Sequence, residues 1–477
     1  MLEYNFKPVY LYVSIILGVQ MSVAFLSTEP YLCENHFLFF LVENFQSKPF
    51  NKNILERKMF MLKIVNRNCA GIDVHKKTIV VTIAKTNEND ITDYQTKSFN
   101  TFTEDLIKCR DWLISNDTFD VCMESTGKYW IPVFNILEEK CKCIITHPKY
   151  VRAIPGKKTD KKDSIWIADM FKHGLVEPSF MPPADVRQLR DLMRYRNKLI
   201  NIRSSEKNRF QNSLTMSNVQ IANVVTDVFG KTSQSILKLM LSNPNLTLDD
   251  ITPLMHGHLK SSPEEILKSI NGNFDEAQSS KMNIVLKHFD SINECIDELE
   301  EQILHLAIQY STEINLLLTV PGIKEISAIF IIAEIGTNMN TFIDDKHLCS
   351  WAGLTPRCNE SAKKKKSVRI SKAGIYIKPL LVQCALCAIK DKSCPYIKAR
   401  YESLKRRRGH KKAIIAIARL LLTSIYHMLL TGEVFDYQRF ENLMDRNFKS
   451  HKNIQNTPEE MISYLTNLGY NITLQNT

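Results

Sequence analysis

Short apolar runs alternate with amphipathic segments along residues 62–180, and this alternation is the most regular pattern in the chain. Strands of a buried sheet give continuous β-branched runs, whereas helices give apolar residues at three- and four-residue spacing. The pattern predicts, in order, strands around 71–74, at 78–84 and at 93–100, a helix at 102–115 with Thr103 as its N-cap, a strand at 120–124, a helix around 129–140, a strand at 143–146 and a helix that opens within 157–164. This order predicts an α/β domain of the RNase H-like class.

Four acidic residues stand at informative places in this predicted domain. Asp73 lies in the first strand, Glu124 ends the fourth, and Asp160 and Asp163 open the last helix. Residues three apart share one helix face, and in an RNase H-like fold acids of the first and fourth strands meet acids of a late helix. Clustered carboxylates suit hard divalent cations, which can clamp the oxygens of a phosphodiester. The alternative is four unrelated solvated charges.

Five short motifs carry a resemblance to one family. They are GIDVHK at 71–76, MESTG at 123–127, KTDKKD at 158–163, VPGIK at 320–324 and GLTPR at 353–357. Together they resemble the DEDD transposases of the IS-one-ten insertion-sequence group, over residues 69–432. The resemblance implies a RuvC-like catalytic domain at 62–180, Mg²⁺ at the four acids, a serine nucleophile in a C-terminal domain, and a structured bridge RNA that directs recombination.

A strongly basic helix is predicted at residues 186–214, within a helical region at 184–312. Its positive charge is one-sided, which favours a helix lying along a phosphate backbone, with Arg187, Arg190 and Arg194 as contacts. The alternative is a solvated helix that covers a core.

A second long helix carries apolar residues in steps of three and four. These positions are Met282, Val285, Phe289, Ile292, Ile296, Leu299, Ile303 and Leu306. The spacing is typical of a heptad seam and predicts an antiparallel pair with the basic helix. The resembled family uses coiled coils for assembly, so the seam favours a homo-oligomer, a dimer or a tetramer; the alternative is a spacer between two domains.

The C-terminal domain is predicted at residues 313–435 and is mostly helical. Residues 317–328 have the pattern of a helix, a Pro-Gly turn and a second helix, as in a helix-hairpin-helix that binds phosphate oxygens. Lys324 replaces the usual second glycine, and its side chain can still reach phosphate.

A loop at 357–371 carries the serine that the resemblance implies as nucleophile, Ser361. Lys363 stands where the family has a glycine, and Ser367 and Ser371 are the fallback serines. A serine needs activation by a cation or metal when no histidine base is near. Further phosphate contacts are predicted at Arg357, Lys364 and Arg369. The alternative for the lysine run is a flexible solvated loop.

Charge and cysteine usage agree with a nucleic-acid partner inside a reducing compartment. Lysine and arginine number 62 against 51 acids, a net charge of +11. The octet at 405–412 adds Arg406 and Arg407 as predicted contacts; a nuclear-localisation signal is the alternative, but the resembled family is prokaryotic. The 12 cysteines have no paired spacing, which predicts reduced thiols in a cytoplasmic protein. The resemblance implies that this protein is nucleoid-associated.

The two ends of the chain do not fit the central pattern. Residues 9–26 are apolar enough for a membrane or signal-like segment, but such an anchor has no physical link to a DNA-cutting domain. Because Met59 and Met61 lie just before the first acid, we expect residues 1–58 to be a leader from an upstream start that the native protein lacks. We expect no membrane association, and the polar tail at 436–477 carries no functional signal.

The sequence therefore predicts a DNA transposase or recombinase that acts on donor and target DNA. Two alternatives stay open. One is a RuvC-like structure-selective endonuclease that uses metal-activated water, and the other is an inactive element copy that only binds nucleic acid.

Overall fold

The structure is a computed structural model that describes residues 62–125, 127–148, 159–243, 245–255, 261–273, 275–356, 360–361, 364–365 and 369–436. It divides into two compact units, residues 1–179 and residues 180–477. The predicted leader and almost all of the predicted tail lie outside the described residues, as do Arg357, Lys363 and Ser367. For the short strands at 360–361 and 364–365 only the backbone is described.

The first unit is a mixed α/β domain, as predicted. Its elements are β1 (Asn68–Val74), β2 (Thr78–Thr86), β3 (Thr92–Asn100), α1 (Thr103–Ser115), β4 (Asp120–Glu124), α2 (Trp130–Leu137), β5 (Lys142–Thr146) and α3 (Asp160–Lys172). The sheet order is β3-β2-β1-β4-β5, with β1 antiparallel to β2 and parallel to β4. This order is consistent with the RNase H-like class. The prediction of Thr103 as the N-cap was wrong, because Phe102 holds that position and makes no side-chain cap.

Helix α3 covers one face of the sheet, and its packing follows from the alternation of side chains along β1. Residues two apart on a strand face the same side, so Cys69, Gly71 and Asp73 share the face beneath α3. Ala70 and Ile72 point to the opposite face and are also fully buried, as suits strands covered on both sides. Helix α3 therefore lies directly over the strand that carries Asp73.

The second unit is helical and begins with two long antiparallel helices joined through a small helical tip. Its helices are α4 (Ala184–Met216), α5 (Lys231–Ser242), α6 (Leu248–Ile251), α7 (Pro263–Ile270), α8 (Glu276–Ala307), α9 (Ser311–Leu318), α10 (Glu325–Ile335), α11 (Asp345–Trp351), α12 (Ile377–Ala388), α13 (Pro395–Arg408) and α14 (His410–Thr431). Between them a short hairpin pairs β6 (Glu360–Ser361) with β7 (Lys364–Lys365).

Helices α4 and α8 pack along their length, and cross-helix bonds define their direction. Arg203, just past the middle of α4, donates to Asn293 over 3.0 Å, and Arg196, one heptad earlier, pairs with Glu300. Between these two pairs the residue number on α8 rises while the residue number on α4 falls, so the helices are antiparallel. The seven seam residues from Met282 to Ile303 are buried. The seam is thus filled from within the chain, and self-association stays a prediction that needs another surface.

One helix of the second unit, α14, is long and apolar enough to cross a membrane by length and composition. Its apolar residues instead form part of the core of this unit: Ile417, Ala418, Leu421, Leu422 and Ile425 are fully buried. Helices α11, α12 and α13 pack against it. In this packing α14 is the central core helix of the C-terminal region.

Candidate functional site

The carboxyl ends of β1 and β4 place Asp73 beside Glu124. The two strands are parallel, and Ile72 pairs with Met123, so the next residues on each strand are neighbours. Side chains alternate in step on paired strands, which puts both carboxyl groups on the face beneath α3. The sheet register therefore brings together the two strand acids that the sequence separates by 51 positions.

The first turn of α3 supplies the other two acids. The Thr159 hydroxyl caps this helix by accepting a hydrogen bond from the Lys162 backbone N–H over 3.3 Å. Asp160 and Asp163 lie in the first turn. The positive end of the helix dipole stabilises their negative charge there. The helix thus begins where its acidic residues face the strand ends.

Contacts within the domain hold α3 close to the sheet. The buried Ser164 hydroxyl lies 2.7 Å from the hydroxyl of Thr82 on β2, which in turn lies 2.9 Å from that of Thr96 on β3. At Gly71 a Cβ atom would stand 2.5 Å from the Ser164 carbonyl oxygen, far inside van der Waals contact. Only glycine allows this approach, so α3 and β1 are locked at a distance that a side chain would increase.

The carboxyl group of Asp73 is influenced electrostatically by the other three acids. Asp73 is only 7% exposed. Burial is the largest cause that raises the Asp73 pKa, and the charges of Asp163, Asp160 and Glu124 raise it further, while His75 lowers it. The structure therefore brings all four sequence-predicted acids to one place. Carboxylate charge is therefore concentrated around Asp73.

His75 also reaches this site, although the sequence did not single it out. Its Nε2 lies 3.2 Å from Asp73 Oδ2 and 3.4 Å from Asp160 Oδ2. These three donor atoms lie within 4.8 Å of one another. The sequence signal that could have identified His75 was its position two residues after Asp73. However, His75 follows the end of β1, where strand alternation no longer predicts which way a side chain points.

The donor set fits a divalent metal ion. Oδ2 of Asp73 and Nε2 of His75 are buried and make no hydrogen bond within the described residues. A buried carboxylate oxygen without a donor is costly, and a metal ion is one of the groups that satisfies it. Carboxylate oxygens suit Mg²⁺, Mn²⁺ and Ca²⁺. The acids named above would hold the ion.

Exposed lysines lie close to the acids in the sequence. Lys76 and Lys77 lie in the turn after β1, Lys128 follows β4, and Lys161 lies in the first turn of α3. An acidic centre with a basic rim suits a polyanion whose backbone must approach a metal ion.

Two of the three arginines predicted as DNA contacts on α4 are engaged inside the second unit. Arg194 donates to both carboxylate oxygens of Glu334, over 2.7 and 2.8 Å, and Glu334 is only 2% exposed. Arg190 donates to the carbonyl oxygens of Ala333 and Glu334, and burial lowers its pKa to about 10. These guanidinium groups anchor α4 to α10. Arg187 donates to the carbonyl oxygen of Pro182.

The Pro-Gly turn between α9 and α10 packs inside the protein. Gly322 has a φ of +78°, and a Cβ atom there would stand 2.4 Å from the Cys384 carbonyl oxygen on α12. The backbone at Gly322 therefore packs closely against the backbone of α12. Lys324 is exposed at the N-cap of α10 and is the residue of this turn that remains for a phosphate contact.

Ser361 lies in β6 and pairs with Lys364 of β7, so the backbone forms a short hairpin at the predicted nucleophile. Arg369 follows and is exposed. The serine and the four acids belong to different units of the chain.

The remaining predicted contacts, Arg406 and Arg407, are exposed at the end of α13. Arg408, Lys411 and Lys412 are exposed beside them across Gly409. The structure thus presents the basic octet as a solvent-facing corner between α13 and α14.

Two stretches of the chain match models of transposase families. Residues 70–218 match a DEDD transposase model of the IS110 type, described simply as transposase, and residues 314–402 match the model described as transposase IS116/IS110/IS902 family. No curated protein matches the chain. The first stretch contains all four acids and the second contains Ser361. With both stretches matched in the expected order, the chain belongs to the IS110 family of insertion-sequence transposases.

Proposed function

We propose that this transposase cuts and rejoins DNA by Mg²⁺-dependent phosphoryl transfer at a RuvC-like site made of Asp73, Glu124, Asp160 and Asp163. One observation carries the proposal. Glycine at position 71 lets α3 approach β1, which gathers four carboxyl groups in a family that processes DNA. A buried Asp73 with three further carboxyl groups close enough to raise its pKa is an arrangement that a divalent cation stabilises.

The four acids would hold one or two Mg²⁺ ions. A bound ion supplies charge that polarises a phosphodiester and stabilises its transition state. The chain's own residues set the conditions: the sheet register positions the strand acids, the capped first turn of α3 positions the helix acids, and the lysine rim holds the DNA backbone nearby.

Ser361 would be the nucleophile. Its Oγ would attack the scissile phosphorus, the bond from phosphorus to the leaving deoxyribose oxygen would break, and the serine proton would pass to a base or to solvent. The resulting phosphoserine ester keeps the bond energy for rejoining. Because Ser361 and the acids lie far apart in the sequence, the active site would be composite.

A bridge RNA and a homo-oligomer complete the proposal. The exposed basic corner at 405–412, with Lys324 and Arg369, offers positive surface for DNA or RNA phosphates. The RNA would choose the donor and target sequences. Sequencing of RNA that co-purifies with the full chain checks this part: one structured species encoded beside the gene supports guidance, and random fragments contradict it.

Covalent capture separates the transposase mechanism from its alternatives. The chain is produced together with its native flanking DNA, and protein-linked DNA is recovered under denaturing conditions. We expect linkage in the wild type and none in Ser361→Ala, with Ser371→Ala as the matched control that retains it. Cutting without linkage in the wild type would favour an endonuclease that uses water. DNA transactions unchanged in Asp73→Asn would favour a binding-only protein.

A further inference from the structure

The imidazole of His75 is the feature of the acidic site that the proposed function leaves without a role. We propose, on the basis of that function, that His75 is a nitrogen ligand of the catalytic metal ion and selectively raises the affinity of this site for Mn²⁺ and related transition metals, with little effect on its affinity for Mg²⁺.

The geometry supports ligation through Nε2. Two ligands at right angles around one ion, each with a bond of about 2.1 Å, are separated by about 3 Å. The observed separations from Nε2, 3.2 Å to Asp73 Oδ2 and 3.4 Å to Asp160 Oδ2, are close to that spacing. The ring therefore lies where a neighbouring ligand of a shared ion would lie.

The surrounding backbone directs the ring into the site. The His75 backbone N–H donates to the carbonyl oxygen of Thr78 over 3.0 Å, which closes the tight turn between β1 and β2. Although 43% of the side chain is exposed, its Nε2 atom is buried. One edge of the ring thus faces solvent while the potential ligand atom faces the acids.

The hydrogen bonding of these atoms also points to a ligand at this position. Oδ2 of Asp73, a residue more than nine-tenths buried, makes no hydrogen bond within the described residues and is aimed at the same space. His75 Nε2 makes none either, so the close contact between the two atoms is not a well-aligned hydrogen bond. A cation between the two atoms would satisfy both.

Ligand chemistry gives the selectivity. Mg²⁺ binds oxygen ligands almost exclusively. Imidazole nitrogen binds Mn²⁺ far better than Mg²⁺, and it binds Co²⁺, Ni²⁺ and Zn²⁺ better still. A site with carboxylates alone would leave Mg²⁺ and Mn²⁺ closely matched. Addition of one imidazole raises affinity for the transition metals selectively.

The test uses the purified full chain loaded with Mn²⁺ and read by electron spin-echo envelope modulation, which detects a ¹⁴N nucleus bonded to the ion. We expect a ¹⁴N coupling in the wild type that disappears in His75→Ala and in His75→Gln. Titration should show Mn²⁺ affinity lowered about tenfold in both variants. Mg²⁺ affinity, measured by displacement of Mn²⁺, should change by less than about threefold.

Control variants separate failure of this inference from failure of the proposed function. His173→Ala, at the far end of α3, should keep the coupling. If the wild type lacks the ¹⁴N coupling while Asp73→Asn still abolishes Mn²⁺ binding, the acids hold the ion and His75 is only their ion-pair partner, which overturns the inference alone. If Asp73→Asn binds Mn²⁺ like the wild type, the proposed metal site itself fails.

Discussion

Gly71 on β1 lies so close to α3 that a Cβ atom at this position would stand 2.3 Å from the backbone nitrogen of Ala168. The contact is made to helix backbone, which cannot move aside as a side chain can. Glycine here sets the distance between the strand that carries Asp73 and the helix that carries Asp160 and Asp163. A residue without a functional group thereby determines the geometry of the acidic site.

Replacement of this glycine should therefore damage both stability and metal binding. We expect Gly71→Ala to lower the free energy of unfolding by about 2–3 kcal/mol, as overpacking of a rigid contact does, and to weaken Mn²⁺ binding. Denaturant unfolding and Mn²⁺ titration measure the two effects. Gly230→Ala is the matched control, because its nearest neighbour would lie at 3.2 Å and its φ is not positive. A Gly71→Ala protein as stable as this control would contradict the close packing.

Asp73 should destabilise the metal-free protein at neutral pH. Its pKa is raised by burial and by three neighbouring carboxylates, so folding favours the protonated form. A raised pKa gives stability that is present at low pH and lost as pH rises through the folded-state value. With a chelator present, Asp73→Asn should unfold at a higher temperature than the wild type at pH 7, and the difference should shrink as pH falls toward about 4.

Metal ions should reverse this difference. Mn²⁺ or Mg²⁺ should raise the unfolding temperature of the wild type and leave Asp73→Asn almost unchanged, since binding to the folded state alone stabilises it. Asp93→Asn, an exposed change on β3, serves as the control. A wild type that is more stable than Asp73→Asn at pH 7 without metal would contradict the electrostatic account.

The pair of Arg194 and Glu334 should contribute to stability more than to DNA binding. Arg194→Ala would leave the Glu334 carboxylate buried without its bidentate partner, which should cost about 3 kcal/mol. A double-mutant cycle with Glu334→Gln measures the coupling. DNA affinity of the folded variant should stay within about twofold of the wild type. A large loss of DNA affinity with little loss of stability would instead restore Arg194 as a phosphate contact.

The basic corner between α13 and α14 should supply salt-dependent binding. Arg406→Gln combined with Arg407→Gln should reduce the slope of log affinity against log salt by about 1.8, if each arginine neutralises one phosphate. Filter binding or anisotropy at several salt concentrations gives the slope. Lys392→Gln with Lys398→Gln removes two exposed charges from the same stretch and controls for net charge. An identical slope in both double variants would assign the effect to overall charge.

The four site acids could be predicted from the sequence, because their residue types and their order along two strands and a helix are recognisable without a structure. Burial of the Met282–Ile303 seam was likewise implied by its spacing. The internal role of Arg190 and Arg194 was not predictable, because Glu334 lies 140 residues from Arg194 and only tertiary packing brings them together. His75 was missed because it lies just beyond a strand end. The direction of its side chain depends on the β1–β2 turn and not on the alternation of side chains along the strand.

The catalytic role of the four acids is tested most directly by the formation of new DNA junctions in bacterial cells that carry the gene with its native flanking DNA. Deep sequencing counts the junctions for the wild type, Asp73→Asn, Glu124→Gln and the exposed control Asp93→Asn. We expect Asp93→Asn to match the wild type, whereas loss of either site acid should lower the count by about 100-fold or more. Junctions at the wild-type level in Asp73→Asn would contradict the claim that these carboxylates form the catalytic centre.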